Sequence, residues 1–190
     1  MQRILVLGCS GAGKSTLARR LAARLGLPIV HLDREYWRPG WRETPQAEFD
    51  AIVDHLVARP QWVMDGNYNR TLDRRLLRAD TVVHLDFPLW RCLYGVTRRA
   101  FLACNFHHAR PDMHPECPEQ WDWEFIEWVV NFRRDERPKT LRALERHANR
   151  IRVITLETRA QTDRFLHTLP AAPPPIRQPE ASTSFSPLVR

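Results

Sequence analysis

Apolar and polar positions along the chain change period several times, and the changes mark out alternating strands and helices. Ile4-Leu5-Val6-Leu7 is a continuous apolar run that stops at Gly8, the pattern of a parallel strand buried on both faces. From Lys14 the apolar residues Leu17, Leu21 and Leu25 recur every fourth position, which predicts a helix that Gly26 and Pro28 end. Residues 29–32 predict a second strand, ending at Asp33. Residues 34–44 read as a loop. Thr44-Pro45 reads as a helix start, with Thr44 as N-cap and Pro45 at the first helical position, ahead of the stripe Phe49, Ile52, Val53, Leu56 and Val57. Further strands are predicted at 62–64, ending in Asp65-Gly66, at 81–85, ending in Asp86, and at 151–156. Helices are predicted at about 88–103, 121–132, 138–148 and 161–169, whereas 105–120 has no period and reads as a long functional loop.

Strands alternating with helices predict an α/β fold, a parallel sheet with helices on both faces. Ligands of such sheets bind at the carboxyl ends of the strands. Here those ends carry Gly8, Asp33, Asp65 and Asp86, so a phosphate-type loop and three carboxylates are predicted along one edge. With 190 residues, 43% of them apolar, the chain suits one domain over 1–170, and the proline-rich stretch 171–190 is expected to be disordered. No apolar run approaches the roughly 18 residues a membrane helix needs, which predicts no membrane partner. The cysteines at 9, 92, 104 and 117 are sparse and no export signal precedes them, so reduced thiols and a cytoplasmic protein are expected.

Gly8-Cys9-Ser10-Gly11-Ala12-Gly13-Lys14-Ser15 matches G-x-x-x-x-G-K-[ST], between a predicted strand and a predicted helix. Small residues let backbone N–H groups surround phosphate oxygens, and the helix N-terminus adds partial positive charge. Gly8, Ser10, Gly11, Ala12, Gly13, Lys14, Ser15 and Thr16 are therefore the predicted nucleotide contacts, for ATP or a close relative. Lys14 is expected on the β- and γ-phosphates. Ser15 is expected on Mg²⁺, with Asp65 holding a water of that ion.

Asp33 is predicted beside the acceptor, where it could take a proton from a hydroxyl or hold the substrate; a capping role is the alternative. Asp65 could instead stabilise its own turn, and Asp86 suits a structural place at the next helix start. His31 and His84 read as packed core residues. Arg91, Arg98 and Arg99 precede the irregular loop, Arg110 lies in it, and Arg133, Arg134, Arg137 and Lys139 follow. Of these, Arg98, Arg99 and Arg134 are the predicted stabilisers of transferring charge. Trp37, Asp65, Gly66, Asn67 and Arg70, with Asp33, are the predicted acceptor contacts. Cys104, His107, His114 and Cys117 have a spacing that a zinc site could use, but the short spacer with its prolines favours reduced cysteines and surface histidines.

The order of the phosphate loop, His31-Leu32-Asp33, Trp62-Val63-Met64-Asp65-Gly66-Asn67-Tyr68, His84-Leu85-Asp86-Phe87-Pro88 and Arg110-Pro111-Asp112-Met113 followed by Cys117-Pro118-Glu119 resembles the DNA topology modulation proteins, in the adenylate-kinase-like group of P-loop NTPases. The resemblance covers residues 1 to 169. It implies a five-stranded parallel core, an acceptor-binding insert at 34–60 of the nucleoside-monophosphate type and a lid at 104–135. The chain differs from adenylate kinases after Asp65-Gly66, where Asn67-Tyr68-Asn69 precede Arg70.

The resulting expectation is a kinase that uses ATP and Mg²⁺ to phosphorylate a small acceptor, a nucleoside monophosphate or a hydroxylated metabolite. The alternative is a nucleotide-gated regulatory or nucleic-acid-binding protein. The formal net charge of +7 suits any anion, and +6 of it lies before the tail, but no helix-turn-helix or lysine-rich reading element accompanies it. Nucleic acid is therefore not favoured as a partner. Nothing in the sequence sets the oligomeric state.

Overall fold

In strands covered on both sides, alternate residues must serve two separate cores, and β1 (Arg3–Gly8) does so. Ile4 and Val6 enter one cluster, Leu5 and Leu7 the other. The computed structural model describes residues 1–106 and 110–171. In it β1 is the centre of a five-stranded parallel sheet ordered β2-β5-β1-β6-β7, with β2 (Ile29–His31), β5 (Trp62–Asp65), β6 (Thr81–Leu85) and β7 (Arg152–Leu156). On the Ile4 side lie α1 (Lys14–Leu25), α5 (Leu89–Phe106), α6 (Trp123–Asp135) and α8 (Arg159–Thr168). On the Leu5 side lie α3 (Gln46–Ala58), α4 (Asn69–Arg78) and α7 (Arg137–Arg146). The predicted α/β architecture is what the chain adopts. Among the described residues no helix is long and apolar enough to cross a membrane. The predicted disordered tail lies, from residue 172, outside the described residues.

Local signals explain most helix ends. Gly26 at φ 68° ends α1 and donates to the Ala22 carbonyl; Asp122 caps α6; Thr158 and Gln161 form a capping box at α8. Three segments differ from the sequence reading. Thr44 does not cap α3; its hydroxyl goes to the Glu35 carbonyl, and Pro45 is the cap residue. The stretch 34–44 is not a loop. Strand β2 stops at His31, the short helix α2 (Leu32–Tyr36) follows, and β3 (Trp37–Arg38) pairs antiparallel with β4 (Arg42–Glu43). Asp33 therefore lies in a first helical turn and not at a strand end. Finally, α4 was not legible as a helix, because one of its four buried positions, Thr71, Leu72, Arg75 and Leu76, is an arginine that breaks the apolar stripe.

Candidate active site

The loop between β1 and α1 lies backbone to backbone against α5. A Cβ on Gly11 would stand 2.0 Å from the Cys92 carbonyl oxygen, and one on Gly95 would stand 2.1 Å from that of Gly11. Neither position accepts a side chain, so the loop is seated on the helix by two glycines distant in sequence. Gly13 caps α1 with no side-chain hydrogen bond, which leaves first-turn N–H groups for a ligand. Lys14 Nζ folds back to 3.1 Å from the Cys9 carbonyl. Beneath the loop Cys9 Sγ donates to the Val129 carbonyl and Cys92 Sγ to the Phe87 carbonyl, each at 3.9 Å; the neighbouring Cys92 thiol and burial push the Cys9 thiol up.

The neighbouring strand end fixes the loop's first residue. Asn67 Oδ1 accepts from Gly8 N at 3.1 Å and Asn67 Nδ2 donates to Gly8 O at 2.9 Å, so the side-chain amide adds a rung beyond the β1–β5 pairing. The turn that presents Asn67 is held in turn by Arg75. Its guanidinium is wholly buried and donates to the carbonyls of Gly66 at 2.8 Å, of Asn67, and of Tyr68 at 2.9 Å. Burial pulls Arg75 down to about 9, which still leaves it a cation at neutral pH. Tyr68, at φ 31°, then directs its hydroxyl to Asp33 Oδ1 at 2.9 Å. Burial, and then the charge of Asp33, push the Tyr68 phenol up, so it stays a donor.

Residues 110–119 close over this edge. Arg110 reaches Asp112 at 2.6 Å, Glu119 at 3.2 Å and Asp33 at 3.5 Å, and Glu119 also holds Arg99 at 2.8 Å. Burial works against ionisation of Asp112, yet the hydrogen bond and charge of Arg110, joined by a hydrogen bond from Ser15, hold its carboxyl well below the usual range. The segment is also fastened to the hairpin: Gly40 N donates to Glu116 O at 3.1 Å, Trp41 Nε1 to Pro118 O at 3.2 Å, and Cys117 Sγ to Arg38 O at 3.2 Å. One short stretch thereby joins the phosphate loop, Asp33 and the hairpin.

Two further carboxylates sit at strand ends. Asp65 is 4% exposed and accepts from His31 Nδ1 at 2.6 Å, across the β2–β5 register. Asp86 takes Arg137 bidentately at 2.8 and 2.5 Å, with Arg133 at 4.0 Å, and the Arg137 bonds hold its carboxyl below the usual range. Asp86 was expected at the start of the next helix; its carboxylate is instead held by Arg137 of α7. His31 and His84 are buried as expected, though His31 is a hydrogen-bond partner and not only packing.

Several predicted site residues are placed differently. Asn67 has its side-chain amide engaged by Gly8, at the first residue of the loop. Arg70 is tied to α3, at 2.6 Å from Asp50 and 2.8 Å from the Gln46 carbonyl. Arg134 is turned to solvent and held by Asp135 at 2.7 Å, whereas Arg133, one helical step away, points to Asp86. Arg98 is exposed and takes no part in the Arg99–Glu119–Arg110 network. Trp37 packs edge-on against Tyr36 at 5.0 Å and Trp41 at 5.4 Å. Thr16 is exposed in the first turn of α1. Cys104 is exposed on α5 and Cys117 is buried under the hairpin, while His107 lies outside the described residues. The sequence reading missed Arg75, Asp112 and Glu119 as site residues; the quoted motif at 110–119 contained the last two but nothing local said what they touch.

A central strand running into a glycine-rich loop and a helix, in a five-stranded parallel sheet, defines a P-loop NTPase fold. No protein-family model matches the chain and no curated protein matches it, so the resemblance to the DNA topology modulation proteins rests on the quoted motifs alone. Solved structures do match. One is a gluconokinase from Sinorhizobium meliloti 1021, at 14% identity and TM-score 0.46, with 87% of this chain and 94% of that chain covered. The fold assignment rests on the strand order and loop of this chain.

Proposed function

We propose that the chain is an ATP-dependent kinase that transfers the γ-phosphoryl group to a small hydroxylated acceptor. The observation that carries this is Arg110, which bonds Asp112 at 2.6 Å and reaches Asp33 at 3.5 Å, so that positive charge stands beside the acceptor-side carboxylate. Phosphoryl transfer requires an acceptor-handling carboxylate and a phosphate loop to be held at a fixed separation, with positive charge between them. The loop amides and Lys14 hold the phosphates, and Mg²⁺ when bound neutralises charge across them, taken by the oxygen donors Ser15 and Asp65. Asp33 receives the acceptor's proton; the Tyr68 hydroxyl fixes its orientation. Residues 34–60 form the acceptor region and 104–135 the lid.

Within that reading a hydroxylated metabolite is favoured over a nucleoside monophosphate. Asp33, with the Tyr68 hydroxyl and Arg110 on it, suits a hydroxyl acceptor, and of the arginines in and beside the acceptor region Arg38, Arg70 and Arg74 are already ion-paired with Glu48, Asp50 and Asp54. A nucleic-acid-binding role draws only on net charge, and much of that charge is compensated on the surface, as in Arg20–Asp163 and Arg146–Asp73.

The test is ADP release from Mg-ATP across a panel of nucleoside monophosphates, nucleosides, sugars and hydroxy acids, with Lys14→Ala as blank. The expected outcome is one acceptor class raising turnover far above the water background. Tight ATP binding with no acceptor response would remove the kinase reading.

A further inference from the structure

Helices α5 and α6 each bury one stripe of side chains, and the stripes they leave in water are not the polar ones a solvated face carries. On α5 the buried residues are Cys92, Val96 and Ala100, and the opposite face presents Trp90, 65% exposed, Tyr94, 54% exposed, and Arg98. On α6 Val129 and Phe132 go inward, and the outer face presents Trp123, 78% exposed, Glu127, and Val130, 43% exposed. A lone exposed apolar residue needs no explanation, whereas a tryptophan on each of two touching helices, joined by a tyrosine and a valine, forms the kind of patch that marks an interface. The open parts of Trp90, Tyr94 and Trp123 amount to about two whole aromatic side chains, roughly 300–500 Å². That is about half of the ~800 Å² that each partner gives to a standard interface, an aromatic centre that leaves the rest to a charged rim.

The two faces differ in charge. The charged residues of α5 are all arginines; Glu119 holds Arg99, and Arg98 stands in water beside the aromatic stripe. On α6 Arg133 turns to Asp86 and Arg134 to Asp135, while Glu124 and Glu127 are exposed beside Trp123. The helices run antiparallel: Arg99 lies over the Phe125 ring at 5.9 Å, and Arg133 reaches back to Asp86, ahead of α5. Counting outward from the Arg99–Phe125 contact at equal rise puts Arg98 level with the Glu124–Glu127 turn and Tyr94 level with Val130. A two-fold axis along the groove between the helices keeps these levels and lays α5 of one copy on α6 of the other. It sets arginine against glutamate and tyrosine against valine, twice each. The same carboxylates disfavour the other occupants that tryptophan and arginine attract, since an anionic lipid surface or a nucleic acid would meet Glu124 and Glu127 beside Trp123. We propose that the outer faces of α5 and α6 are the interface of a two-fold homodimer, with a second copy of this chain as the partner. The proposal is independent of the kinase reading.

Sedimentation velocity of the full chain at micromolar concentrations tests it. The wild type is expected to sediment as a dimer. Arg98→Glu and Glu127→Arg each place like charges opposite one another in both halves of the interface, and each is expected to weaken dimerisation about tenfold or more. An equimolar mixture of the two variants should regain the wild-type association, because each supplies the charge the other has lost; a variant that had merely misfolded would not be rescued in this way. Trp123→Ser should also sediment as a monomer, with unchanged far-ultraviolet circular dichroism, since its side chain stands in water. A monomeric wild type, variants that dimerise like the wild type, or a mixture that associates no better than its components overturns the proposal. A monomer that co-sediments with vesicles of anionic lipid also overturns it, and would give the face to a membrane surface.

Discussion

Asn67 and Gly8 are joined by two hydrogen bonds, so the side chain of one residue completes the backbone pairing of the other at the mouth of the phosphate loop. The pair is partly buried, and Asn67→Ala leaves both the N–H and the C=O of Gly8 without partners. Losing such bonds costs about 1–3 kcal/mol. The expected result is a lower denaturation midpoint and weaker nucleotide affinity together. An unchanged midpoint with lost affinity would mean that Asn67 touches ligand directly.

Gly95→Ala tests the seating of the loop on α5. The added methyl would stand 2.1 Å from the Gly11 carbonyl oxygen, a backbone atom that cannot swing aside. Overpacking of this kind costs about 1–3 kcal/mol, and here the strain falls on the loop. Nucleotide affinity, followed by calorimetry, should fall even in preparations that remain folded. Unaltered affinity would show that the loop can lift from the helix at no cost.

Arg75→Met should be among the more damaging single changes. It keeps an unbranched chain in the buried space but leaves the carbonyls of Gly66, Asn67 and Tyr68 without their shared donor. Each orphaned buried acceptor costs about 1–3 kcal/mol. Thermal unfolding reads the effect, and a midpoint equal to that of the wild type would show that the turn holds without the guanidinium. A parallel measurement on Arg75→Lys separates lost charge from lost geometry, since lysine cannot span three acceptors as a planar fork does.

Asp33→Asn should spare ATP binding and slow transfer by about a hundred- to ten-thousandfold, the range for removing a general base. Tyr68 can still donate to the amide oxygen, so the fold around it is expected to persist. Normal acceptor turnover in this variant would remove Asp33 from the mechanism.

Acid stability should depend on Asp86 and Asp80. Both carboxyls lie below their usual range: Asp86 because Arg137 bonds it, and Asp80 because, against the effect of burial, it accepts from Gln2 N, Thr81 Oγ1 and Arg3 N. A depressed folded pKa gives stability that is fully present above the unfolded carboxylate value, about 4, and is lost as pH falls through the lower folded value. Denaturation midpoints should therefore be flat above about pH 5 and fall below it. Arg137→Leu should lower the midpoint at neutral pH and shrink that acid decline; an identical decline would exonerate the pair.

Features whose causes are local can be read from the chain alone. The phosphate loop was legible because small residues, Lys14 and Ser15 sit at fixed spacing between a strand run and a helix stripe. The five strands were legible because each is a short apolar run, most of them with a punctuating Gly or Asp. The carboxylates Asp65 and Asp86 fell where parallel strands end. Tertiary structure decided which groups meet. Arg75 looks like one more surface arginine until the turn at Gly66–Tyr68 presents three carbonyls to it, and Arg133 and Arg134 are distinguished only by the face α6 turns to Asp86. Arg110 meets Asp33, and Glu119 meets Arg99, because residues 110–119 fold back across the sheet edge; no period or spacing encodes a contact between segments so far apart along the chain. Local pattern fixes backbone conformation through sterics and burial, while a shared polar site depends on distances that exist only after the sheet has brought its strand ends together.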